Sequence, residues 1–126
     1  MPTPSLPISA LPEIRELIDG AESTLKADIS RIKKLLADPA ANLPPPIVAF
    51  TLQEAKDALE LLGAHSRQLM AWQKDTITDA ERAEVVRLQA IVPEIRPLVQ
   101  RLIALATELD RRAKGGAASP RKRWRH

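Results

Sequence analysis

The chain has 126 residues, no cysteine, and 19 Lys/Arg against 16 Asp/Glu, for a formal net charge of +3. The missing cysteines exclude disulfides, thiolate metal sites and cysteine nucleophiles, and the length bounds the fold to one domain with one modest core. The charge is unevenly placed: residues 111–126 hold seven cations and no acid, leaving twelve cations against all sixteen acids in residues 1–110.

Aromatic residues are scarce, namely Phe50, Trp72 and Trp124. A core of Leu, Ile, Val and Ala suits helices packed side by side, whereas strands favour aromatic and β-branched side chains. The predicted fold class is therefore all-α, a three-helix antiparallel bundle, or four helices if the last one is split. Residues 1–10 contain Pro2, Pro4 and Pro7 and read as an extended, disordered lead. This start has neither the cationic opening nor the apolar run of a secretory signal. No stretch approaches the roughly 18 apolar residues of a membrane span, so a cytoplasmic protein is expected.

The first helix is predicted over about 12–37. Pro12 suits position N1, where its missing N–H has no helical partner, and Glu13 and Glu16 complement the helix dipole. Leu11, Ile14, Leu17/Ile18, Ala21, Leu25, Ile29, Ile32 and Leu35/Leu36 recur in steps of three and four along one face. Gly20 interrupts the helix at a cost of roughly 1 kcal/mol relative to Ala. Asp38-Pro39 ends it, because a residue before proline avoids the α region. Residues 38–50 are then predicted as a linker. In it Pro44-Pro45-Pro46 forms a stiff polyproline stretch, and Ile47, Val48 and Phe50 tuck against the helices.

Two segments match the capping-box pattern, Thr51-Leu52-Gln53-Glu54 and Thr78-Asp79-Ala80-Glu81. They predict helices starting near 52 and 79, separated by a short turn at 75–78 that makes the second and third helices antiparallel neighbours. Trp72 is expected to cap the bundle against Phe50. The third helix, about 79–114, carries an apolar face that runs Leu88, Ile91/Val92, Ile95, Leu98/Val99, Leu102, Leu105/Ala106 and Leu109. A face that wide implies burial between two neighbours. Its width also raises the prospect of self-association or a protein partner at Leu88, Ile95, Leu102 and Leu109. Pro93 and Pro97 predict a kink or break at 92–97. Val92-Pro93-Glu94-Ile95 echoes Leu11-Pro12-Glu13-Ile14, as if a fresh helix began at Pro93. Gly115-Gly116 is expected to end the helix, with residues 115–126 a disordered basic tail.

Constellations for chemistry are sparse. There are two histidines, His65 and His126, and no carboxylate lies three or four residues from His65. Glu54, Asp57 and Glu60 lack an accompanying ExxH pair, so a solvated face is expected there rather than a metal site. No phosphate-binding glycine loop or nucleophile elbow is present. The expected protein is non-enzymatic and needs no cofactor. The nucleic-acid-binding candidates are Arg111, Arg112, Lys114, Arg121, Lys122, Arg123, Trp124 and Arg125: cations pair with phosphates and release counterions, and an indole among them stacks on an unpaired base. A lipid interface or an acidic protein groove are the other anionic targets such a segment suits. The alternative function is a structural or adaptor subunit that binds protein through its helix faces.

Overall fold

The computed structural model describes the backbone of residues 6–41, 43–75 and 77–124, and the side chains of those residues up to 115. Three helices account for almost all of it: α1 (Leu11–Ala37), α2 (Pro45–Gln73) and α3 (Asp79–Trp124), preceded by a 3-10 turn at Ile8–Ala10. No strand occurs among the described residues.

α1 forms as its sequence predicts. Its buried residues, Leu11, Ile14, Ile18, Leu25, Ile29 and Ile32, fall on one stripe. At its end the Ala40 N–H donates to Asp38 Oδ1 at 2.9 Å and the Ala41 N–H to Asp38 O at 3.1 Å. This Asp-initiated turn stops the helix and starts the return.

α2 starts seven residues earlier than the Thr51 capping box predicts. Pro44 is extended, with φ −58° and ψ 135°, and Pro45 and Pro46 occupy the first helical positions. Each proline lacks the N–H that a first turn leaves unpaired anyway, and its fixed φ already suits a helix. The proline run therefore opens a helix rather than a polyproline connector, and the linker shrinks to residues 38–44. Thr51 lies inside the helix, where its hydroxyl donates to Ile47 O at 3.0 Å. Val48 is buried as expected, but Ile47 and Phe50 are exposed, Phe50 by 64%, and Phe50 does not cover Trp72. The second box is real: Glu81 N–H donates to Thr78 Oγ1 at 3.1 Å and Thr78 N–H to Glu81 Oε1 at 2.8 Å.

α3 is one continuous helix, so the four-helix alternative and the break at 92–97 are both corrected. Pro93 and Pro97 sit one turn apart on the exposed side, while Val92, Ile95 and Val99 stay buried. The carbonyls that the prolines leave without a donor can turn to solvent there, which limits the penalty. Gly115 does not end the helix either, since the backbone stays helical to Trp124 where a disordered tail was expected.

Helices α1 and α2 both pack on α3 and scarcely touch each other. α3 runs parallel to α1 and antiparallel to α2. Arg87 near its start meets Asp19 of α1, and Arg82 meets Gln73 at the end of α2. The wide face of α3 is covered from both sides, with Val85, Leu88, Ala106 and Trp72 of α2 fully buried.

Two arginines of α3 tie down the ends of the other helices. Arg82 donates to Gln73 O at 2.6 Å and Asp75 O at 3.2 Å, at the C-terminus of α2. Arg112, thirty residues on, donates to Leu35 O at 3.1 Å, Leu36 O at 3.0 Å, Ala41 O at 2.8 Å and Asp38 O, at the C-terminus of α1. The last carbonyls of a helix have no intrahelical donor and carry the negative end of its dipole. A planar guanidinium with five N–H groups matches several of them at once.

Residues 6–10, expected within a disordered lead, pack on the bundle; residues 1–5 of that lead lie outside the described residues. The Leu6 N–H donates to Gln68 Oε1 at 2.7 Å, and the Trp72 indole N–H donates to Leu6 O at 2.8 Å. Trp72 thus caps the bundle against the lead peptide rather than against Phe50.

Candidate functional site

The basic end of α3 contains two kinds of cation. Arg111 pairs with Glu108 at 2.7 Å and Lys114 with Asp110 at 3.0 Å, one helical turn back, and both cations are about two-thirds exposed. The boundary that looked sharp in sequence, acids before residue 111 and cations after it, thus cuts through i,i+3 and i,i+4 pairs. Asp110 is buried, and its Oδ1 has no hydrogen-bond partner among the described residues. Arg112 is different again, because its N–H groups are spent on α1 and the following turn. Arg112 is therefore removed from the phosphate-binding set: its guanidinium faces into the fold. Nothing in the local sequence marks this role, because its partners lie more than seventy residues away.

Beyond Lys114 the backbone stays helical to Trp124, twelve residues past Arg112, which meets the end of α1. Arg121, Lys122, Arg123 and Trp124 lie on this extension, whose side chains are outside the described region, as is the whole of Arg125. These five residues contain four cations and no acid.

The partner-binding residues expected on α3 are core residues. Leu88, Ile95, Leu102 and Leu109 are 0–6% exposed. The width of the α3 face reports its two intramolecular neighbours: all four side chains pack in the core, with Ile95 and Leu102 also lining the floor of a groove.

Apolar surface is instead exposed where α1 and α2 fail to meet. Between them runs an open groove of about 350 Å³, floored by Ile95, Val99 and Leu102 of α3. Leu17 of α1 and Leu61 of α2 flank it, each about half exposed. Its other end is polar, with Asp28 and Arg31 facing the Glu54 side. The sequence held a signal for it: Leu17-Ile18 and Leu61-Leu62 are apolar doublets. In each, one member is buried (Ile18, Leu62) and the other faces outward. His65 also lines the groove, and its burial pushes its pKa below the ordinary histidine value.

One charged cluster fixes the opposite end of the α1–α3 contact. Arg87 donates to both carboxylate oxygens of Asp19, at 3.0 and 2.9 Å, and to Glu84, which lies 3.9 Å from Arg15. The Arg87 guanidinium beside Asp19 holds that carboxyl below its usual range, while the two acids push the arginine further up. This network is exposed and reads as alignment of two helices rather than as a reaction centre.

What the geometry defines is a class, a three-helix bundle with one helix outrunning the other two and one groove left open. No known protein family, curated protein or solved structure matches the chain. No helix among the described residues is long and apolar enough to cross a membrane.

Proposed function

We propose that the protein is a non-enzymatic binding or assembly factor whose basic C-terminal segment engages nucleic acid. The observation that supports this reading is the separation of charge from scaffold. Residues 121–125 hold four cations and no acid, and they follow the last ion pair among the described residues, Asp110–Lys114, with Arg121, Lys122 and Arg123 on the final turns of α3. Arg121, Lys122, Arg123 and Arg125 contact phosphates and Trp124 stacks on a base. Arg111 extends the surface by exchanging its exposed partner Glu108 for phosphate, a small cost because such pairs are worth little in water, and Lys114, itself exposed, extends it while keeping its buried partner Asp110. Arg112 takes no part.

A mobility-shift comparison tests the reading. The full chain should retard a single-stranded oligonucleotide, and a chain ending at Gly115 should not. Equal retardation by both chains refutes it.

A second reading, an adaptor that binds protein, is favoured by the open groove. Its apolar floor between two helices is the kind of surface on which a partner's amphipathic helix lays its apolar face. Such binding would tolerate salt, whereas contact through about four phosphates should lose affinity with a log–log slope near roughly −3 to −4.

A further inference from the structure

Extended backbone presents one N–H and one C=O per residue, and a site that reads it must offer an acceptor and a donor at matching distance. Gln68 and Trp72 do this from adjacent turns of α2. The Gln68 amide oxygen accepts the Leu6 N–H, and the Trp72 indole donates to the carbonyl of the same residue. With the lead in place Trp72 is fully buried and Gln68 nearly so, and both project from the last turns of α2. The gripped residue is itself preset. Pro7 follows it and disfavours the helical region for Leu6, and Pro7 lies in the polyproline region with φ −69° and ψ 155°. The Leu6 side chain is about half exposed, so the grip is on backbone, with little demand on the side chain beyond fit. An indole donor over extended, proline-constrained backbone is a recurring way of recognising such segments at low entropic cost.

We propose that Gln68 and Trp72 form a receptor for extended, proline-flanked peptide, currently filled by the chain's own lead, and that a segment of the same kind from another protein displaces that lead. The lead acts as a tethered plug. It competes at high effective concentration because it is part of the same chain, and an incoming segment gains access whenever the lead detaches. This function is independent of the basic segment, which lies at the far end of α3.

The probe is a fluorescein-labelled peptide with the sequence of residues 1–8, followed by anisotropy. Two receiving chains lack the plug in different ways. One begins at Ile8 and keeps every helix, with its helical content checked by circular dichroism. The other is the full chain carrying Leu6→Pro, which deletes the N–H that Gln68 accepts without shortening anything. Both should bind the probe saturably, at least about tenfold more tightly than the unaltered chain, whose plug competes. Adding Trp72→Phe to either should weaken binding about three- to tenfold, the loss of one buried hydrogen bond. A probe N-methylated at its leucine should weaken by a similar factor. Failure of both folded, unplugged chains to bind overturns the proposal, as does binding that Trp72→Phe and the N-methylated probe leave unchanged.

Discussion

Replacing Arg112 by alanine is the sharpest test of how the bundle is held. Four carbonyls, of Leu35, Leu36, Asp38 and Ala41, converge on its guanidinium. Hydrogen bonds to a charged group contribute roughly 1.5–3 kcal/mol each when counted singly. The four here share one cation and face partly into solvent, so they do not add. The carbonyls released by Arg112→Ala regain water, and the favourable end-of-helix charge, about 0.3–2 kcal/mol, is lost outright. The net expectation is a destabilisation of about 2–4 kcal/mol. Arg112→Lys should recover about half of it, because a point-like ammonium cannot fork to four oxygens. Arg82→Ala removes only two such bonds, at Gln73 and Asp75, and should cost about 1–2 kcal/mol. Arg111→Ala, with one exposed partner at Glu108, should stay within about 0.5 kcal/mol. Urea denaturation followed by helical circular dichroism measures all four, and an unchanged slope shows that the unfolded reference has not moved. A thermal scan should show about 4 °C lost per kcal/mol for a domain of this size. If Arg112→Ala and Arg111→Ala have the same midpoint, the cap carries no stability and the assignment of Arg112 to the scaffold is wrong.

Other outcomes follow from the same geometry. Thr78→Ala should destabilise by about 1 kcal/mol through loss of its cap, whereas Thr51→Ala should not, although both residues sit in the same sequence pattern; urea midpoints compare them directly. Leu88→Ala should cost about 2–5 kcal/mol as a core truncation, while Leu17→Ser on the groove rim should leave the urea midpoint nearly unchanged. Gly20→Ala should raise stability by about 0.5–1 kcal/mol, because the added methyl meets nothing within 4 Å. Stability should also fall as the pH drops through and below about 6.5: the folded pKa of His65 is lowered, so the unfolded chain binds the proton first. Urea midpoints at pH 7.5 and pH 5.5 should differ more for the natural chain than for His65→Gln. The Asp19 contribution has the opposite cause but the same direction. It is present above the ordinary aspartate pKa of about 3.9 and is lost as pH falls through the lower folded value.

Much of the scaffold was legible because it follows from local periodicity. The α1 stripe from Leu11 to Ile32 and the α3 stripe from Leu88 to Leu109 are buried at the positions their spacing indicates. The turn before α3 was legible because Thr78 and Glu81 cap each other within four residues. The same pattern at Thr51 misled, because Pro44-Pro45-Pro46 supplies an earlier start and no local rule ranks the two. Pro93 and Pro97 misled for a tertiary reason: both face outward, and packing on two sides holds the helix through them. The roles of Arg112 and Gln68 were not legible, and for Trp72 the capping role was legible but its partner was not. Each depends on a backbone group more than sixty residues away, and nothing in the spacing of the side chains encodes that meeting. Of the expected nucleic-acid set, the sequence separated charged from uncharged residues but could not separate the cations committed to the fold from those beyond it.

The central claim is that the cations past Lys114 carry most of the binding, with Arg111 and Lys114 adding a minor share. Anisotropy of a labelled single-stranded oligonucleotide should be recorded across a salt series for the full chain, for Arg111→Gln with Lys114→Gln, and for a chain with Arg121, Lys122, Arg123 and Arg125 all changed to Gln. The account predicts a log–log slope near roughly −3 to −4 for the full chain, a slope only slightly shallower for the first variant, and near-complete loss of binding for the second. Full affinity and an unchanged slope in the quadruple variant would contradict it.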